Sequence, residues 1–381
     1  MADQADMRGP SATRGAKELK FRQLAEQLRR EIHEGVWPPG SRLPTEQELA
    51  RSSGTSVATV RRAVDDLVAE RLVVRRQGAG SFVLTPQTRA TRHALIGVMV
   101  PDTTLYYPRV LKGIESGLSA AGARLLLTCS DYDQEREIRE LQGLLDGGAD
   151  GLLLVPTLSG PEPADAYLRR LAQLPVPTVL VERRATSLGD TNEHVCTHHE
   201  AGAYDAVHHL ARLGHRTIGL VLRAPGPTAD PLSQGFKEAV TELDCRPVEF
   251  RATREEWSPA TADRCVERLR AAGATAALCL SDRQATLLLS AARRAGLSVP
   301  DDLALVSYDD EIADIADIPL TAVAPPKHLL GRTAAEVLLH RLDHPEQPRR
   351  KILLRPSIVI RKSCGATQQP AETTADRRGS T

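Results

Sequence analysis

The sequence runs to 381 residues with a formal net charge of zero; 41% of residues are hydrophobic and 26% charged. That length points to more than one domain, and that apolar content excludes disorder as a description of the whole chain. The charge is uneven: residues 1–93 carry 16 Lys and Arg against 11 Asp and Glu, while 94–381 carry 33 against 38. A basic head on an acidic body predicts a local polyanion partner.

The opening stretch MADQADMRGPSATRGAKE has no apolar core and does not read as a secretory signal. No segment approaches the roughly 20 apolar residues that span a membrane. Residues 1–17 and 364–381 are small and polar and are expected to be disordered tails. Next, FRQLAEQLRREIHEG places Phe21, Leu24, Leu28 and Ile32 at helical spacing, with Gly35 as the stop. WPPGSRLPT is a turn-rich connector. Thr45 then opens TEQELARSSG with Glu48 three positions on, the pattern of a capping box, and Gly54 closes that short helix. Ser56 caps a third helix with Val60, Ala63, Val64 and Leu67 on one face. LVVRR, QGAG and SFVL read as a small hairpin with a glycine turn. Three helices and a hairpin over 18–85 predict a winged helix-turn-helix, with the third helix entering the DNA major groove and the wing beside it.

The strings PPGSRLPTEQELA, TSVATVRRAVDDL and ERLVVRRQGAGSFV resemble the GntR family of bacterial transcription regulators. The resemblance implies DNA contacts at Ser56, Thr59, Arg61 and Gly78, with Arg75, Arg76 and Gln77 nearby, and Arg62 beside Arg61 is read as a further DNA contact from its charge. The chemistry agrees, because guanidinium groups meet phosphate oxygens or a guanine edge, and bare glycines let backbone N–H groups approach the sugar-phosphate chain. The chain departs from the family at Gln47 and Val57, where many members carry DNA-contacting arginines.

From residue 94 to 363, short apolar runs alternate with helical patterns: ALIGVMV, RVLKGIESGLSAAG, RLLLTC and DGLLLV, and later TIGLVL, QGFKEAVTEL, AALCL and LALVSY. Continuous apolar strands between helices predict an α/β fold of parallel sheets covered on both faces, here as two lobes with a cleft between them. HHLARLGHRTIGLV, QGFKEAV and SVPDDLALVSYDD resemble the effector half of the LacI family, itself similar to periplasmic sugar-binding proteins. Residues 86–93 (PQTRATRH) would be the linker between the GntR-like head and this body.

The resemblance implies a ligand in the inter-lobe cleft, near Tyr106, Tyr107, Arg183, His198, Trp257 and Asp282. Aromatic faces and charge-assisted bonds suit a polyol. Two departures stand out. Leu232 occupies the place, three before Gly235, where members carry arginine, and His198-His199 replaces an Asp-Asn pair.

The six cysteines show no C-x-x-C pairing and are read as buried apolar residues in a reducing compartment. His194, Cys196 and His198 alternate, but three such side chains along a strand span too far to converge on one ion, so no metal is expected, and no cofactor. No nucleophile elbow, phosphate-cradling loop or zinc-protease helix is present, so the chain is not expected to be an enzyme. The combined expectation is a cytoplasmic, homodimeric regulator. It would bind a pseudo-palindromic operator in double-stranded DNA under control of a carbohydrate effector, acting as a repressor of carbohydrate genes. The alternatives are a regulator with a non-sugar effector or none and, against the basic head, a solute-binding protein.

Overall fold

Thr45 and Gly54 bracket the second helix of the head with the two caps their positions imply. In the computed structural model, which describes residues 11–33, 35–38, 40–69, 72–76, 79–83, 94–184 and 189–366, α2 is Glu46–Ser53. The Glu48 N–H donates to Thr45 Oγ1 at 3.3 Å, and the Thr45 N–H donates to Glu48 Oε2 at 2.7 Å. Two donors with no partner inside the helix are thereby satisfied. Gly54 ends the helix in the left-handed conformation, φ 62°. After this turn comes α3, Val57–Ala69, which packs against α1, Ser11–His33. Leu24, Leu28, Leu49, Val60, Val64 and Leu67 fill the shared core with Val73 and Val83 of the wing. The wing pairs β1, Val73–Arg76, antiparallel to β2, Gly80–Val83, with Arg76 opposite Gly80.

The chain divides into two compact units, Met1–Arg89 and Ala90–Thr381. Two expected tail boundaries are corrected. The first helix starts at Ser11, not near residue 18. Ala, Arg, Lys, Glu and Leu dominate residues 12–20 and favour helix, and the single Gly15 is tolerated. At the other end Cys364 is buried, with its Sγ accepting a hydrogen bond from Thr321 Oγ1 at 3.0 Å, so it belongs to the core. The linker 86–93, most of the C-terminal tail, and Gln77 and Gly78 of the wing lie outside the described residues.

In the first lobe of the second unit, β3 (Leu95–Val100), β4 (Arg124–Cys129), β5 (Gly151–Leu154), β6 (Thr178–Val181) and β7 (Glu193–Thr197) join β13 (Lys351–Leu354) in one sheet. Its order is β13-β7-β6-β5-β3-β4, and every pair is parallel. Ile96, Val98 and Val100 face one core cluster while Met99 faces another, which explains why this strand is apolar throughout. In the second lobe, β8 (Thr217–Arg223), β9 (Arg246–Ala252), β10 (Ala276–Cys279), β11 (Ala304–Tyr308) and β12 (Thr321–Ala324) join β14 (Ser357–Val359), in the order β14-β12-β11-β10-β8-β9. Only the β12–β14 pair is antiparallel.

The lobes are not two consecutive halves of the chain. The chain enters the second lobe between β7 and α7 (His199–Arg212). It returns between β12 and α11 (Lys327–Asp343), and crosses again between β13 and β14. Helix α11 packs on α4 (Tyr107–Ala120) of the first lobe at very short range. A Cβ added at Gly331 would lie 2.0 Å from the Val110 carbonyl oxygen, and one at Gly113 2.1 Å from that of His328. Only hydrogen fits at those crossings. No helix among the described residues is long and apolar enough to cross a membrane.

Candidate functional site

The carboxyl ends of the strands of both lobes face a cavity of about 540 Å³. This is where parallel sheets place ligands, because loops and helix N-termini converge there. From the first lobe come Tyr106 and Tyr107 at the start of α4, Tyr132, and Glu182 and Arg183 just after β6. From the second come Arg223 at the end of β8, Arg254 after β9 and Asp309 after β11. His199, the first residue of α7, sits at a crossing between lobes.

Glu182 organises the floor. Tyr106 Oη donates to its Oε1, Thr197 Oγ1 donates to the same oxygen at 2.6 Å, and the Thr197 N–H reaches Oε2 at 3.1 Å. His199 Nε2 lies 3.4 Å from Oε2. Burial alone would push the Glu182 carboxyl up, but His199, Thr197 and Tyr106 outweigh it and hold it down at about 2. Burial, followed by the charge of Glu182, keeps the Tyr106 phenol protonated, and burial does the same for Tyr107. Arg183 donates to Tyr107 Oη at 3.2 Å and to the Glu182 carbonyl at 2.7 Å.

Across the cleft, burial raises Asp309 from its ordinary 3.8 to about 7, with nearby Asp282 adding to the rise and Lys327, His199 and Arg223 opposing it. Lys327 begins α11 at the second crossing. Its Nζ donates to the Asp309 carbonyl, lies 2.5 Å from Glu311 Oε1, and sits 5.2 Å from the centre of the Tyr106 ring. The first two crossings therefore each carry a side chain that touches both lobes. Glu182 and Asp309 hold positive φ, 56° and 94°, a backbone strain that clusters at functional sites.

Several expected ligand residues fall elsewhere. Tyr106, Tyr107 and Arg183 line the cavity; His198, Trp257 and Asp282 do not. His198 is half-buried, with Nε2 3.9 Å from Glu200 Oε2. Neighbouring residues in non-helical chain project in different directions, so with His199 in the cleft His198 faces out. Trp257 is buried against Phe250 in the second-lobe core, ring centres 6.1 Å apart. Its bulk fills the space under β9 rather than presenting a platform. Asp282 is buried and fully engaged. It accepts from Ser307 Oγ at 2.6 Å and from the N–H groups of Glu311 and Ile312 at 2.6 and 3.0 Å, and so shapes the loop that carries Asp309. Leu232 is a core residue of α8 (Ala229–Glu242). Among the described residues no group of three or more His, Cys, Asp and Glu is placed to hold a metal ion.

In the head, Arg61, Arg75 and Arg76 line a groove with Arg42, Gln47, Val57 and Gly80. Arg61 Nη2 and Arg75 Nη2 converge on the Glu46 carboxylate at 2.9 and 3.2 Å, and Arg75 also pairs with Asp65. A Cβ at Gly80 would lie 2.9 Å from Arg42 Nε, so the bare residue leaves room for this guanidinium. Ser56 Oγ lies 2.9 Å from Thr59 Oγ1 at the exposed start of α3. Arg62 lies apart from the groove, stacked 4.0 Å over the Phe21 ring of α1.

Residues 20–83 match the model of the gntR family of bacterial regulatory proteins, and 207–364 match that of the periplasmic binding protein-like domain. An arabinose metabolism transcriptional repressor of Geobacillus stearothermophilus is 30% identical over 356 residues, 90% of this chain and 97% of that protein. The chain belongs to the transcriptional repressors that join a GntR-type head to a LacI-type body. The repressor's body is similar to a LacI-family regulator from Enterococcus faecium solved with bound ribose. That comparison gives 27% identity and a TM-score of 0.58, covering 71% of this chain and 98% of that one. The GntR regulator of Chromobacterium violaceum is 28% identical with a TM-score of 0.59, covering 71% and 100%.

Glu182, Arg223, Asp309 and His199 of the repressor were missed in the sequence, yet three of them carried a signal. Each is the charged residue that terminates an apolar strand: TVLVE, TIGLVLR and ALVSYD. In a parallel sheet that position is the carboxyl edge. Arg42, Tyr132 and Arg254 sit in loops, where no periodicity marks them.

Proposed function

We propose that this repressor acts in the cytoplasm as a homodimer on a pseudo-palindromic operator upstream of carbohydrate genes, with a sugar-class effector in the inter-lobe cleft. The observation that carries this reading is the junction itself. His199 and Lys327 each touch both lobes and lie beside Tyr106, whose ring and hydroxyl suit a polyol. The named relatives support the effector class: the Geobacillus protein is an arabinose repressor and the Enterococcus one holds ribose. A ligand contacting Glu182 on one lobe and Arg223 on the other favours the closed cleft. It shifts operator affinity only by its differential affinity for the two states, typically about 1–3 kcal/mol of coupling.

In the head, Arg61, Arg75, Arg76 and Arg42 serve phosphates or guanine edges, and Ser56 and Thr59 present hydroxyls at the start of α3. The test is binding of the full chain to DNA from its own upstream region, titrated with a panel of pentoses, hexoses and glycosides. Specific binding released or tightened by one of them supports the reading. Specific binding indifferent to all of them overturns the sugar class, and absence of specific binding overturns the operator assignment.

A further inference from the structure

Three guanidinium groups line one end of the cleft, and among the described residues none is bonded to a carboxylate. Arg183 is spent on a phenol and a backbone carbonyl. Arg254 lies 4.8 Å over the face of Tyr132. The guanidinium of Arg223, a partly buried residue, makes no hydrogen bond or ion pair with a described residue. The charges of Arg183 and Arg223 also act on the Tyr132 phenol, which is bonded to Asp102. Guanidinium groups gathered on one wall offer several charged donors to a single anion.

Among the described residues no carboxylate that lines the same cavity is hydrogen-bonded or ion-paired to these three guanidinium groups. Glu182 is held by Tyr106, Thr197 and His199, and its charge also favours that of the adjacent Arg183. Asp309 is the one whose burial disfavours its charged form. Glu255 is exposed and pairs with none of the three. A second feature points the same way. Helix α8 begins at the cavity, with Thr228 and Ala229 in its wall, and the Thr228 side chain makes no cap hydrogen bond. The positive end of a helix of 14 residues thus adds to the guanidinium end.

We propose that the effector is an anionic polyol: a sugar bearing a carboxylate or phosphate group. Arg183, Arg223 and Arg254 receive the anion, and the Glu182–His199 end receives the hydroxyls. This rests on reading the cleft as a carbohydrate effector site. Bidentate guanidinium contacts suit either a carboxylate or a phosphate, and the probes separate the two.

The experiment is calorimetric titration of the full chain with arabinose and galactose, the acids galacturonate and gluconate, and glucose 6-phosphate beside glucose. An acidic compound should bind at least about tenfold tighter than its neutral counterpart, since one charge-assisted pair in a desolvated site is worth that much. That preference should shrink as salt rises. Success among the acids assigns a carboxylate; success of glucose 6-phosphate assigns a phosphate. Arg223→Gln should abolish the preference, and Arg254→Gln, at an exposed position, should reduce it if the first variant does not fold. A neutral sugar that binds as tightly as its acid overturns the proposal and leaves the carbohydrate reading standing. Failure of every acidic probe overturns it as well, and failure of the neutral sugars alongside overturns both.

Discussion

The imidazole of His199 sits 3.4 Å from the Glu182 carboxylate, across the junction of the two lobes. Its other nitrogen lies 2.9 Å from Tyr308 Oη, in the second lobe. One side chain at a crossing of the chain therefore reports the position of both lobes, and an effector that touches Glu182 touches that report.

Glu182→Gln should remove the effector response and cost about 1–3 kcal/mol of stability, because hydrogen bonds to a buried charged acceptor are replaced by weaker ones. The Glu182 carboxyl titrates lower when folded, about 2, than its ordinary 4.5. Its stabilisation is thus full above pH 4.5 and is lost as pH falls toward 2. Urea midpoints of parent and variant should differ at pH 7 and converge in acid. A gap independent of pH would remove the charge from the account.

Asp309 has the opposite sign. Its carboxyl titrates higher folded, about 7, than its ordinary 3.8. Its ionised form is a liability above pH 7, and that liability vanishes as pH falls to 3.8. Asp309→Asn should therefore melt higher than the parent at pH 8, with the gain shrinking toward pH 4. A variant that melts lower at pH 8 contradicts the assignment.

Arg61 and Arg62 are neighbours with different work. Arg61 lines the groove, whereas Arg62 stacks on Phe21. Arg61→Ala should weaken operator binding by about tenfold or more, with a shallower salt dependence. Arg62→Ala should chiefly lower the melting point of the head through the lost stacking. Equal losses of operator affinity in the two variants would show that the stacked conformation is not kept on DNA.

At the crossing of α4 and α11, Gly331→Ala forces a methyl group to within 2.0 Å of the Val110 carbonyl oxygen. The helices must part, at a cost of about 1–3 kcal/mol. Thermal unfolding measures it, and an unchanged melting point would mean that the helices are not packed so closely.

Trp257→Phe tests whether the indole is core or platform. Trp257 Nε1 is buried without a hydrogen-bond partner, so the variant forfeits packing volume but no bond. It should cost under about 1.5 kcal/mol and leave effector affinity unchanged. A large loss of affinity would return Trp257 to the ligand.

The caps at Thr45, Glu48 and Gly54, the helical spacing of Leu24 and Leu28, and the apolar strands were legible because they obey local rules. Helix caps and periods of 3.6 and 2 are properties of a few consecutive residues. The same locality made Tyr106, Tyr107 and Arg183 findable, since they flank elements whose ends the pattern marks. It could not tell His198 from His199. That choice rests on how the chain leaves β7 as it changes lobes, and a rotation of one residue exchanges the two. It also could not place Lys327, because nothing in LTAVAPPKHLL says that the chain returns to the first lobe there. By itself, then, the sequence determined which elements form and that a basic winged head precedes an α/β body. Only the tertiary structure decided which side chains meet in the cleft. The pairs Tyr106–Glu182, His199–Tyr308 and Lys327–Asp309 join segments remote in sequence, and strand order and lobe crossings, which no local pattern encodes, bring them together.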